Sequence, residues 1–185
     1  MHSNYLSLSY SFGVGVVLVN AVGLVGVGQR SPDCARVDTL GSWQMPQAAL
    51  ASGEPVRDAA QRLLEDAGIR DATLLAEAPG WFTFELPPDL LGVALQGRYL
   101  GQKLKWVAAK CTDEPAAYCA QQRSRAFTSW RWVTAAEAVA VAPPLKREVY
   151  DDVLSTFAPV IANARLQQHA QARTSSAPWF VNLLR

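Results

Sequence analysis

Two runs rich in β-branched apolar residues, 12–20 and 24–29, stand on either side of Ala21-Val22-Gly23, and together they predict a β-hairpin with a short turn. The polar, irregular stretch 30–42 predicts a loop that leads into a short strand at 43–45. After Pro55 the period changes. Val56, Ala59, Ala60, Leu63, Leu64 and Ala67 recur at helical spacing, with proline in the first turn and Gly68 at the end. Strands follow at 73–76 and 81–86, divided by Pro79-Gly80 and stopped by Pro87-Pro88, and again at 103–111 around Trp106. The segment 112–129 reads as a surface loop before a last strand at 130–133 and a turn of helix at 135–139. From 145 to 164, Val149, Val153, Leu154, Phe157, Val160 and Ile161 form one face of a closing helix. Mixed strands with one helix in the middle and another at the end predict an α/β fold, an α/β/α sandwich on a mixed sheet.

With 185 residues the chain can bury one full core, and a net charge of +1 excludes a protein that holds nucleic acid by bulk positive charge alone. Cys34, Cys111 and Cys119 form no CxxC pair and have no histidines at ligand spacing, so neither a disulfide framework nor a zinc site is expected. That usage points to a reducing compartment, mitochondrial matrix or cytoplasm. The apolar run 12–28 is interrupted by Asn20 and several glycines, and no transmembrane segment is expected. No acidic residue precedes Asp33, and the Ser- and Tyr-rich start resembles a transit peptide without its arginines.

Residues 43–69, WQMPQAALASGEPVRDAAQRLLEDAGI, join a loop to an amphipathic helix and carry Glu54, Arg62, Glu65 and Asp66. The stretch resembles a Nudix box, whose pattern is G, five residues, E, seven residues, R-E-U-x-E-E-x-G-U, with U aliphatic. The resemblance implies a loop–helix–loop in which glutamates hold divalent cations such as Mg²⁺ against a pyrophosphate. Read back from Gly68-Ile69, the R-E-U-x-E-E positions fall on Gln61, Arg62, Leu63, Leu64, Glu65 and Asp66, with one residue missing just after Glu54. Arg62 then replaces the first metal-binding glutamate, and Gln61 replaces the arginine that pairs with the loop glutamate. Counting seven residues from Glu54 to Arg62 instead puts Leu63 and Ala67 on metal positions. Neither register supplies three carboxylates, and a guanidinium beside Glu65 opposes a bound cation. No catalytic residue and no metal are expected; Glu65 and Asp66 are the ligands if a cation binds, or a solvated face paired with Arg62.

Four more segments extend the likeness. The strand 10–20, WQMPQ at 43–47, GQKLKW at 101–106 and WRWV at 130–133 are similar to the bacterial RNA pyrophosphohydrolase branch of that family, as is the closing LKREVYDDVLSTFAPVI. In that branch a glutamate just before WRWV assists the metals or the attacking water; here Ala126 stands there and can neither ligate metal nor accept a proton. Ser11 replaces an arginine, Ala48-Ala49 replace a glycine pair, and Leu145 and Gln29 stand near the aromatic and the arginine that clamp a base. Lys103 and Lys105 read either as alternating positions on a strand face or as cations near a phosphate.

A retained scaffold without its chemistry is the resulting expectation: a non-catalytic subunit of a larger assembly, with protein partners and a mitochondrial location. The alternatives are a Mg²⁺-dependent pyrophosphohydrolase of nucleoside-diphosphate-linked substrates such as RNA 5′ ends, and a nucleotide- or RNA-binding module that does not cut. The expected organisation is an extension at 1–9, the domain at 10–164 and a tail at 165–185. The tail's apolar end, with Trp179, Phe180 and Leu183, is expected to dock into a neighbouring subunit rather than stay exposed.

Overall fold

A computed structural model describes residues 8–31, 43–111 and 126–175, with side chains in the closing helix as far as Leu166. The strands are β1 (Ser9–Val19), β2 (Val25–Arg30), β3 (Trp43–Gln44), β4 (Gln47–Ala49), β5 (Thr73–Glu85), β6 (Tyr99–Lys110) and β7 (Phe127–Val133). The helices are α1 (Val56–Asp66), α2 (Ala135–Val141) and α3 (Arg147–Ser175). Strand order is β3-β2-β1-β6-β5, with β4 on β1 and β7 on β2. β1 and β6 are parallel and the other pairs antiparallel, which makes the sheet mixed, as the sequence predicts.

Side chains alternate across a strand, so the long β1–β6 pair feeds two separate cores. Val14, Val16 and Leu18 of β1, with Val107 and Ala109 of β6, pack under Ala59, Ala60, Leu63 and Leu64 of α1. Val17 and Val19, with Leu104, Trp106 and Ala108, pack on the other face under Tyr150, Val153, Leu154 and Phe157 of α3. Each fully buried Leu or Val contributes about 1.5–3 kcal/mol, so both helices are held mainly by these layers. Gly15 lies opposite Trp106 in the register. A Cβ there would sit 2.5 Å from the indole, so the glycine is what lets the largest core side chain lie flat on β1.

The hairpin forms around Asn20, whose carbonyl oxygen accepts from the Val22 and Leu24 amides at 3.1 and 2.8 Å, with Gly23 at φ +77°. β1 and β2 meet at Val19↔Val25 and then diverge, β1 toward β4 and β6, β2 toward β3 and β7. Several boundaries differ from those predicted. The strands at 73–76 and 81–86 are one edge strand, β5, whose register shifts between Glu77 and Trp81. Pro79-Gly80 makes a bulge rather than a break, because an edge strand tolerates a residue that cannot donate to the ladder. β4 has no pattern of its own in the sequence and exists because Gln47, Ala48 and Ala49 pair with Gly15, Val14 and Gly13. α3 runs past residue 164 to Ser175. Most of the predicted loop at 112–129 lies outside the described residues, as do Cys34, Cys119, Trp179, Phe180 and Leu183. Among the described residues no helix is long and apolar enough to cross a membrane.

Gly15→Ala should lower stability by about 1–3 kcal/mol in urea unfolding, the usual cost of overpacking. In a Trp106→Leu background the same change should cost clearly less; equal costs would show that the indole is not what the methyl meets.

Candidate functional site

α1 is anchored at both ends. Pro55 precedes it with φ −61°, and its carbonyl accepts the first helical bonds, from Asp58 and Ala59. At the far end Gly68 adopts φ +82°, its amide bonds the Glu65 carbonyl at 2.9 Å, and the Ile69 amide bonds the Leu64 carbonyl at 2.8 Å. This is a Schellman cap, which requires the glycine. On the loop side the Arg62 guanidinium forks onto Glu54, Nε to Oε1 at 2.8 Å and Nη2 to Oε2 at 2.9 Å. Nη2 also reaches the Ala49 carbonyl at 3.2 Å, and Glu54 accepts from the Ala51 amide at 2.9 Å. The loop 49–54 is thereby tied to the helix through one bidentate pair, the strong form of a charged hydrogen bond. Arg62 and the Ala51 amide hold the Glu54 carboxyl well below its ordinary value near 4.5, at about 2.

These contacts correct the register of the motif. Arg62 itself pairs with the loop glutamate, so Gln61 is not the counterpart of the family's arginine and Arg62 does not replace a metal-binding glutamate. With Arg62 and Gly68 both fixed, the missing residue falls between them. The position after Arg62 is Leu63, only 5% exposed and packed in the core. At about 100° per residue, the family's three glutamates lie about 100°, 40° and 140° round the helix from the arginine, on one face. Here Asp66 lies at about 40°, whereas Glu65 falls about 60° to the other side. The contacts agree: Asp66 approaches Arg62 at 4.0 Å, and Glu65 accepts from Gln61 at 3.1 Å.

This donor set does not fit a divalent cation. Glu54 is engaged by Arg62, Asp66 stands beside a guanidinium, and Ala126, just before β7, brings a methyl group where the resemblance implies a glutamate. No group of three His, Cys, Asp or Glu side chains among the described residues is arranged to hold a metal.

A separate cavity lies on the other face of the sheet. A cleft of about 420 Å³ opens on the α3 face of the sheet, between β1, β2, the WQMPQ segment, the ends of β5 and β6, and the turn Pro144–Lys146. Its walls are apolar at Met45, Phe84, Leu86, Leu104, Phe127 and Leu145, and it carries two cations, Arg30 and Lys146. Arg30 stands over the Phe127 ring at 5.4 Å. Lys146 donates to the side-chain carbonyls of Gln47 and Gln44 at 2.8 and 3.2 Å. Two adjacent non-glycine residues with positive φ, Leu95 at 49° and Gln96 at 64°, close one side of it. An apolar cavity with a few converging polar groups is the usual form of a small-ligand site.

The alternation of β6 decides where its lysines go. Gln102 and Leu104 line the cleft; Lys103 and Lys105 point to the opposite face and do not reach it. There Lys103 lies over the Tyr10 ring at 4.5 Å, and Lys105 donates to the Pro79 carbonyl at 3.1 Å and approaches Glu77 at 3.6 Å. Both lysines thus lie on the α1 face of the sheet, outside this cleft. Gln29 does not line the cleft, whereas its neighbour Arg30 does, as does Leu145. Sequence reasoning also passed over Gln44, Gln47 and Lys146, although all three stand inside the segments that carried the resemblance.

No protein-family model matches the sequence. The chain is 41% identical to the RNA pyrophosphohydrolase of Cereibacter sphaeroides over 163 residues, which is 85% of this chain and 96% of that protein. It is 36% identical to the RNA pyrophosphohydrolase of Mesorhizobium japonicum over 163 residues, 82% of this chain and 91% of that one. Among solved structures, the E. coli dihydroneopterin triphosphate pyrophosphohydrolase superposes with a TM-score of 0.54 at 18% identity, over 78% of this chain and 96% of that chain. RenU, a Nudix hydrolase from M. smegmatis, gives 0.55 at 15% identity, over 82% and 89%. The fold is therefore that of the Nudix hydrolases. Within them the chain belongs to the RNA pyrophosphohydrolase family.

The Glu54–Arg62 pair makes stability depend on pH. A carboxyl lowered on folding contributes stability above its unfolded value, near 4.5, and loses it as pH falls through the folded value of about 2. The melting temperature of the wild type should therefore exceed that of Glu54→Gln at neutral pH, and the gap should narrow between those two values. A gap that stays constant across that window would show that the pair does not stabilise the loop.

Proposed function

We propose that this protein binds the 5′-phosphorylated end of RNA, or a nucleotide of the same chemistry, in the cleft on the α3 face, without splitting the pyrophosphate bond through helix-bound metal. The observation that carries this reading is a contrast between the two faces of the sheet. The cleft has apolar walls and two cations suited to a base and a phosphate, while on α1 Asp66 stands beside Arg62 and Glu65 is turned to the other side, toward Gln61. The substrate class follows the relatives, which are RNA pyrophosphohydrolases; fold alone would not supply it. Lys146 acts as a compact charge for phosphate, and Arg30 offers both charge and a planar face.

A second reading, hydrolysis of the pyrophosphate at an RNA 5′ end with Mg²⁺, is favoured by the 41% identity to an RNA pyrophosphohydrolase. One experiment separates the two. Fluorescence anisotropy with matched oligoribonucleotides should give at least about tenfold tighter binding to the 5′-triphosphorylated RNA than to the 5′-hydroxyl form, a difference of ~1.4 kcal/mol. Lys146→Ala should remove most of that difference. No pyrophosphate or phosphate should be released with Mg²⁺ or Mn²⁺. Equal affinity for both RNAs would overturn the binding proposal, and turnover abolished by Asp66→Asn or Glu65→Gln would establish the hydrolytic reading instead.

A further inference from the structure

Leu95 and Gln96 are adjacent, and among the described residues they are the two outside glycine that have positive φ. Their φ and ψ, 49° and 40° for Leu95 and 64° and 16° for Gln96, are close to the two central positions of a type I′ turn. Such a turn suits Asn-Gly, because a left-handed backbone brings the Cβ of most other residues too near the following carbonyl oxygen. Leucine and glutamine are unfavourable there, and the flanking residues hold them in place. Ala94, just before them, is buried. Gly97, just after them, has φ +68° and lies so close to Gly92 that a Cβ on it would sit 2.5 Å from the Gly92 carbonyl oxygen.

Neither strained side chain serves the packing. Leu95 belongs to neither core, and the Gln96 side chain has no hydrogen-bond partner among the described residues. Both line the cleft instead, next to Tyr99 and Gln102 of β6. Gln102 is in register with Ser11 of β1 on one side and Phe84 of β5 on the other, and all three line the same cleft. The polar groups around the turn are therefore neutral amides and hydroxyls. A carboxamide sets a donor and an acceptor side by side, which is the pattern on the edge of a nucleobase. Phosphate is better served by charged donors. Backbone strain of this kind persists where the surrounding structure enforces it, and it collects at ligand clamps.

We propose that the Leu95–Gln96 turn is the base-reading wall of the cleft, its left-handed backbone presenting the Gln96 amide to the edge of a nucleobase and Leu95 to the base face. That the ligand is a nucleotide rests on the function proposed above; the contact with the base does not depend on how its phosphates are held. Leu95 and Gln96 are then specificity-determining residues, kept at a cost in stability that the fold alone does not require.

The test is to give the turn the residues its backbone favours. In the double variant Leu95→Asn with Gln96→Gly, the urea unfolding midpoint should rise. Affinity for 5′-triphosphorylated and for 5′-hydroxyl RNA should fall several-fold and by the same factor, so the preference for the triphosphate stays, whereas Lys146→Ala removes that preference. Ligand-detected NMR with adenosine, guanosine, cytidine and uridine should show unequal binding to the wild type and a flatter series in the double variant. Gln96→Ala, which removes the amide and keeps the strain, should lose binding without the rise in midpoint. A double variant that binds RNA and nucleosides as the wild type does would overturn the proposal, and so would a midpoint that stays the same or falls. A wild type that ignores the 5′-triphosphate yet loses nucleoside binding in the double variant would leave the turn's role standing and refute the function proposed above. A wild type that binds neither RNA nor any nucleoside would refute both.

Discussion

The pairing of β1 with β6 is the constraint from which the rest of the molecule follows. Eleven register pairs, Ser9↔Tyr99 to Val19↔Lys110, hold two parallel strands at the centre of the sheet with both faces covered. Since neighbouring side chains on each strand point to opposite faces, the pairing assigns every residue of these strands either to the α1 layer or to the α3 layer. One layer carries the helix that bears the remnants of the metal site, and the other carries the cleft. A slip of one residue would exchange the two sets. The mutual fit of Gly15 and Trp106 opposes such a slip, because only a residue without a side chain leaves room for the indole.

The two faces of the sheet differ in how they are held. The cleft is lined by strands, by the segment before β4 and by the turn before α3; Met45, Phe84 and Leu104 of its wall pack in the core under α3, whereas Phe127 and Ala48 pack with the core under α1. The helix side depends on one charged contact. The Glu54–Arg62 fork holds the loop on α1 in a geometry that needs no cation, since the fixed guanidinium already satisfies the glutamate. Loss of a residue between Arg62 and Gly68 leaves both anchors in place and turns the intervening side chains by about 100°, which takes Glu65 off the common face. Leu63 and Leu64 still bury, so the helix survives a change that separates its carboxylates. A buried stripe a little over 100° wide explains why folding tolerates what metal binding does not.

Much of the architecture was legible along the chain because it rests on local periodicity. The switch from β-branched runs to the 3.6-residue spacing of 56–67, the proline before the helix and Gly68 after it, and the closing amphipathic helix each carry their own signal. The Nudix resemblance likewise rested on short segments and holds in the fold and in the named relatives. β4 and the continuity of β5 across Pro79-Gly80 were not legible. A strand of three residues has no period to show, and an edge bulge looks like a break until its partner strand is known.

The sequence by itself determined which residues are present: Ala126 has no carboxylate in any fold, and three acids at the family spacing cannot be found between Arg62 and Gly68. Only the tertiary structure decided which groups meet. Glu54 and Arg62 lie eight residues apart, and their pairing, which sets the register of the motif, depends on how the loop folds back. Gln47 lies about a hundred residues before Lys146 and Tyr150, and the three become one network only where α3 begins against the WQMPQ segment. The lysines of GQKLKW, attractive as phosphate ligands in a linear reading, are turned away from the cleft by strand alternation, and Arg30 rather than Gln29 lines it. A side chain's identity is written in the sequence, but its direction depends on the strand register and helix rotation that packing imposes.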